Sequence, residues 1–253
     1  MRVLVVAYNT FRESMRDKVL YVLLFFAAAA ILGSKALGWI SIGQDIKIVK
    51  DVTLASISIF GALVSIFVGT SLLYKEIDKR TLYTILSQPM RRWEFVVGKY
   101  LGLMALLAFV VGAMTALSAL YIYLLGGTLD GLYFLAALLT LAKLMLVTAF
   151  AVFFSAVASP ILGAVIVFSI YVFGHATGVF IDLPPQFDGT MVKTLFEWLY
   201  YIFPNLANFD ITIEASNGVP VSPVYVAQVL VYGVLYSAVV LLLATVAFDS
   251  KDL

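Results

Sequence analysis

The stretch "TLASISIFGALVSIFVGTSLLYKEIDKRTLYTILSQPMRRWEFVVGKYLG" covers Thr53–Gly102. Its first part is an apolar run long enough to cross a bilayer, and its end opens a second such run. Between them lie Lys75, Lys79, Arg80, Arg91 and Arg92, with Lys99 just inside the second run. Runs of this length need their backbone hydrogen bonds satisfied within the segment, which makes them helices.

The rest of the chain repeats the pattern. Hydrophobic residues make up 63% of the sequence, charged residues 12%, and the mean hydropathy is +1.05. A soluble domain would carry about a quarter charged residues. The alternating ten-residue segments of a membrane barrel are absent. The expected fold is therefore an all-α integral membrane protein. Six spans are expected, at 19–40, 53–74, 96–125, 132–158, 161–181 and 224–248. The third exceeds what a bilayer needs, so it tilts or protrudes.

The first eighteen residues are too short and too charged to span. Val3, Leu4, Ala7, Tyr8 and Phe11 recur at helical spacing, as in a helix lying in the interface. A secretory signal is the competing reading; the retained Met1 disfavours it.

Orientation follows from the basic residues near span ends. With the N-terminus inside, Arg2, Arg12, Arg16, Lys18, Lys75, Lys79, Arg80, Arg91, Arg92, Lys99 and Lys251 are cytoplasmic. Only Lys35, Lys47, Lys50 and Lys193 are outside. Six spans then return the C-terminus to the cytoplasm. The chain reads as one membrane domain with no soluble unit. Gly126-Gly127 and Asp130-Gly131 mark an outer turn. Ser159-Pro160 marks an inner one, with Ser as N-cap and Pro at the first helical position. The long connection 182–223 is expected outside, with an amphipathic aromatic segment, "TMVKTLFEWLYYIFP", in the interface.

The cytoplasmic connection 75–95 has two readings. As a basic loop it satisfies charge bias and touches anionic lipid. Its apolar pattern suggests more. Leu82, Ile85 and Leu86 share one face of a short helix that Asp78 can cap and Pro89 ends. Such a ridge, rimmed by Arg80, Arg91 and Arg92, suits a groove on a partner. Glu76 and Arg80 stand four apart, at ion-pair spacing if helical.

The string Lys75–Gly102 resembles the signature of ABC type 2 transporter permeases. Glu76, Thr81, Leu82, Leu86, Pro89, Arg92, Phe95, Gly98 and Lys99 carry the resemblance. "NTFRESMRDKVLY" (Asn9–Tyr21) and "YYIFPNLANFDI" (Tyr200–Ile211) are similar to the multicopper-enzyme-maturation (nitrous-oxide-reductase maturation) branch. The closing "FDSKDL" resembles the family's charged tail. The resemblance implies the multi-pass permease half of an ATP-driven transporter in a prokaryotic plasma (inner) membrane, an exporter in the reading adopted. It implies a homodimer bound to two copies of a cytoplasmic ATPase that carries ATP and Mg. The connection 75–99 would be the coupling element. No nucleic acid is implied. The chain itself lacks G-x-x-x-x-G-K-[ST], because Gly98-Lys99 is followed by Tyr100 and no Gly precedes at the required spacing. The backbone cradle for phosphate is thus missing.

Lys143 lies eleven residues into the fourth span, about 17 Å deep and near the midplane. A cation there costs about 2.5–3.5 kcal/mol unless it faces protein or water. It reads as a lining residue of the transport path, for an anionic substrate, as a lysine bonded to carbonyls or tyrosine hydroxyls, or as a snorkelling one. No acidic residue lies inside a span to pair with it. His175 reads as an outer-interface residue. Ser169 and His175, six apart, fall on opposed faces and do not form a nucleophile–base pair. Pro204, Asn205 and Asn208 break the outer amphipathic segment, as in a hairpin that enters the membrane to gate or cap a path. No metal site is expected: cysteine is absent, there is one histidine, and Met104 and Met114 fall on different helix faces. A membrane scaffold without transport is the alternative function, and an intramembrane enzyme lacks the clustered polar groups it needs.

Overall fold

The computed structural model describes residues 2–38, 45–74, 91–178 and 203–249, together with positions 191, 193, 194, 198 and 200. Eight α-helices order the described chain: α1 Arg2–Ser14, α2 Lys18–Gly38, α3 Asp45–Ser71, α4 Arg92–Leu124, α5 Gly131–Val157, α6 Pro160–His175, α7 Thr212–Asn217 and α8 Pro223–Asp249. A 3-10 turn, Ala207–Phe209, precedes α7. Five of the helices (α2, α3, α4, α5 and α8) are long and apolar enough to cross a membrane.

The centre of the bundle is α3 against α5. A Cβ on Gly61 would meet Leu144 Cδ1 at 2.5 Å, and one on Gly69 would meet Ala151 Cβ at 2.7 Å. Two turns apart on one face, these glycines let the helices approach closely, which is how apolar helices gain packing where lipid offers no hydrophobic advantage. Ser65 and Thr148 hydroxyls share a hydrogen bond of 2.9 Å across the same seam. Around it α2, α4, α6 and α8 expose much of their apolar surface, as lipid-facing helices do.

Several boundaries depart from the sequence reading. The second span starts at Asp45, eight residues before Thr53, because Lys50 is held within the fold, 3.5 Å from Asp130. The charges of "DIKIVKD" thus sit on a helix end rather than in a loop. The fifth, expected to run to Ile181, ends at His175. Sixteen residues make α6 about 24 Å long, less than the hydrocarbon thickness. The inner turn has Ser159 at the N-cap and Pro160 at the first helical position as expected, although the serine hydroxyl makes no cap bond. At the outer turn Gly126 takes φ 78°, a conformation that favours glycine.

Helix α1, expected from the sequence to lie in the interface, is docked on another helix. It packs on the start of α4, where a Cβ on Gly102 would come 2.5 Å from the Ala7 carbonyl oxygen, and one on Gly98 2.7 Å from Val6 Cβ. Lys99, buried between the two glycines, reaches Glu13 at 3.6 Å and stands over the Phe95 ring. Leu4, Val5 and Tyr8 remain exposed on the opposite side, so part of the expected apolar face (Leu4, Tyr8) looks outward while Val3, Ala7 and Phe11 are partly covered. The 33-residue α4, about 50 Å long, protrudes to provide this seat.

Candidate functional site

Two places carry polar chemistry. The first is the start of α4, where the connection 75–95 ends. Glu76, Arg80, Thr81, Leu82, Ile85, Leu86 and Pro89 lie outside the described residues. Arg91 and Arg92 lie within them. The Arg91 backbone N–H donates to Glu94 Oε2 at 3.0 Å, closing the first turn of α4. Arg92 reaches the end of α8. Its Nη1 donates to the Asp249 and Phe248 carbonyls at 2.9 and 3.3 Å, and its Nε lies 3.6 Å from Asp249 Oδ1. The carbonyls at a helix C-terminus lack intrahelical donors and carry partial negative charge, so a guanidinium is well placed there. The Phe95 and Phe248 rings stack beside it at 6.0 Å. The first turns of α4 are therefore bound to α1 on one side and α8 on the other.

The second place surrounds Lys143. It lies twelve residues into α5, about 18 Å from that helix's start, and is 1% exposed. Its Nζ donates to Ser58 Oγ of α3 at 2.7 Å and lies 3.1 Å from His175 Nε2 at the end of α6. His175 Nδ1 is 2.8 Å from the Tyr171 carbonyl. A carbonyl only accepts, so Nδ1 carries the hydrogen, and Nε2 of the neutral ring is left to accept from Lys143. Ser58 Oγ also meets the Tyr171 hydroxyl at 3.1 Å. Lys143 is thus held by side chains of two neighbouring helices, a serine hydroxyl of α3 and the imidazole of α6.

The charge partner comes from elsewhere. Asp210 Oδ2 lies 4.0 Å from Lys143 Nζ. Its Oδ1 accepts from the Thr212 N–H at 3.1 Å and the Thr212 hydroxyl at 2.6 Å. His175, taken from sequence as an interface residue, belongs to this cluster. Ser169 bonds its own helix at the Val165 carbonyl and takes no part.

The segment 203–217 delivers Asp210. Pro204 and Asn205 occur in it as non-helical backbone packed against the blunt end of α6, and Asn208 falls within the 3-10 turn that follows. The Leu206 N–H donates to the Gly174 carbonyl at 2.9 Å. The Thr177 hydroxyl shares its one hydrogen between that carbonyl and Asn205 Oδ1, at 3.1 and 3.0 Å. The Asn205 N–H donates to the Tyr232 hydroxyl, and the Asn208 N–H donates to Asn205 Oδ1. A Cβ on Gly233 would meet the Phe209 ring at 3.1 Å. Gly233 lies ten residues into α8, so the segment penetrates about 15 Å along that helix. Irregular backbone at such depth is tolerated because protein groups satisfy it. This also explains the short α6: its last carbonyls are claimed by residues from the other end of the outer connection.

A count from the shared inner turn would have found the Lys143–His175 pair. Lys143 lies fifteen residues before Ala158 and His175 sixteen after Ser159, at equal depth on neighbouring helices. Asp210 carries no such signal. Among the described residues no cluster of three potential metal ligands occurs.

A comparison with curated proteins gave no match. The model of one family, described as ABC-2 family transporter protein, matches residues 4–253. That span takes in α1, every long apolar helix and the Lys143 cluster, so the chain belongs to the ABC-2 family of transporter proteins, as a multi-pass membrane permease subunit of an ABC transporter.

Proposed function

We propose that the chain is an exporter permease that works as a homodimer with two copies of a separate cytoplasmic ATPase, which holds ATP and Mg. In this reading α6 and the chain beyond it complete a sixth crossing, both termini lie in the cytoplasm of a prokaryotic cell, and the connection 75–99 seats in the ATPase. The motifs at Asn9–Tyr21 and Tyr200–Ile211 favour the multicopper-enzyme-maturation branch.

The carrying observation is the attachment of α4. A push on the connection enters α4 at Arg91. There the Arg92–Asp249 tie and the Gly98/Gly102 seat link α4 to α8 and α1. These contacts favour movement of the three helices as one body, the kind of two-packing element that alternating access needs. Lys143 lines the path in this reading, and Pro204, Asn205 and Asn208 form its outer gate.

The test is co-purification with the cognate ATPase, comparing the natural chain with Leu86→Asp. The expected result is lost complex formation and lost permease-dependent ATP hydrolysis. Unchanged assembly and hydrolysis would remove the coupling assignment and favour the scaffold alternative.

A further inference from the structure

Lys143 cannot leave its position. It is 1% exposed and bonded to side chains of α3 and α6. Its carboxylate partner is differently placed. Asp210 is 41% exposed at its side chain, and 4.0 Å separates it from Nζ, too far for a hydrogen bond. Asp210 also keeps its own satisfaction, because both Thr212 bonds are local to the segment and travel with it. A buried cation held by two neighbouring helices thus faces a carboxylate that is half-exposed and bonded only within its own segment. If the segment withdraws alone, the ammonium remains buried without a counter-charge, which is strongly unfavourable. If another anion takes its place, the barrier is removed.

We propose that Lys143, with the Ser58 and Tyr171 hydroxyls beside it, is a binding site for an oxyanion (carboxylate or phosphate) of the transported molecule, and that Asp210 is its place-holder. The proposal rests on the transporter reading above and names its substrate class. Anion binding displaces Asp210 and frees the segment 203–217. Withdrawal of the segment is thereby linked to occupancy, since a ligand shifts an equilibrium only through unequal affinity for its two states.

The absence of cysteine makes the test direct. Ala215 on α7 is fully buried, so Ala215→Cys in the full chain, reconstituted in nanodiscs, gives a unique thiol whose maleimide labelling reports withdrawal of the segment. Butyl phosphate is the probe, with choline chloride at equal ionic strength as the control. The expected result is a saturable acceleration of at least about fivefold, absent in Lys143→Met. Asp210→Asn is expected to label fast without any anion. An equal response in Lys143→Met, no response in the natural background, or slow labelling in Asp210→Asn would each overturn the proposal. Should Lys143→Met fail to fold, the natural background and Asp210→Asn still decide. No ATPase is present in the assay. A negative result here beside an intact Leu86-dependent complex discards the anion site alone, and the converse discards only the coupling.

Discussion

Arg92 and Asp249 stand 157 residues apart in sequence, yet the Arg92 Nη1 donates to the Asp249 carbonyl at 2.9 Å. The first turn of α4 thereby closes the last turn of α8. The pair is partly exposed, so its stabilising effect is modest, about 1 kcal/mol. In the coupling proposed above its effect would be mechanical, because it joins the start of α4 to the end of α8. Arg92→Ala is expected to lower the melting temperature slightly while sharply reducing permease-dependent ATP hydrolysis. Equal, proportionate losses in both would argue against a transmitting role. Thermal unfolding and hydrolysis assays on one preparation make the comparison.

The seat of α1 predicts a size limit. At Gly102 an added methyl meets a backbone oxygen, which cannot turn aside as a flexible side chain can. Gly102→Val is expected to cost about 1–3 kcal/mol through overpacking and to lift α1 from α4. Thr10, 1% exposed in the contact, reports the change: Thr10→Cys should label slowly alone and rapidly beside Gly102→Val.

Asn205 accepts from both the Asn208 N–H and the Thr177 hydroxyl. Asn205→Leu removes the acceptor, while the Thr177 hydroxyl keeps the Gly174 carbonyl and the Asn208 N–H faces outward. A loss of about 0.5–1.5 kcal/mol in local stability is expected, read as faster hydrogen exchange at Leu206–Phe209 with α3 and α5 unchanged. Exchange rising evenly through the bundle would contradict it.

Hydropathy located the apolar cores of α2, α3, α4, α5 and α8 because the cost of placing charge in hydrocarbon is written residue by residue. It could not locate helix ends. α3 continues through Lys50 because a partner 80 residues away accepts that charge. α6 stops at His175 although apolar residues follow, since Leu206 and Thr177 satisfy the Gly174 carbonyl. The cluster was half legible. A mid-helix lysine demands partners, and equal depth singles out His175. Asp210 is brought in by a re-entrant backbone, a tertiary event with no periodic trace. Gly98 and Gly102 were not singled out as a packing pair by the sequence; only the packed α1 shows what they admit.

The glycine seat also bears on how the protein is made. During synthesis α1 emerges before the surface that receives it, which is not complete until Gly102 has left the ribosome. Through that interval Thr10 and Ser14, both buried in the finished protein, have no place to dock. Docking of α1 therefore waits for α4 and closes a long loop, though one shorter than the 157 residues that the Arg92–Asp249 contact spans.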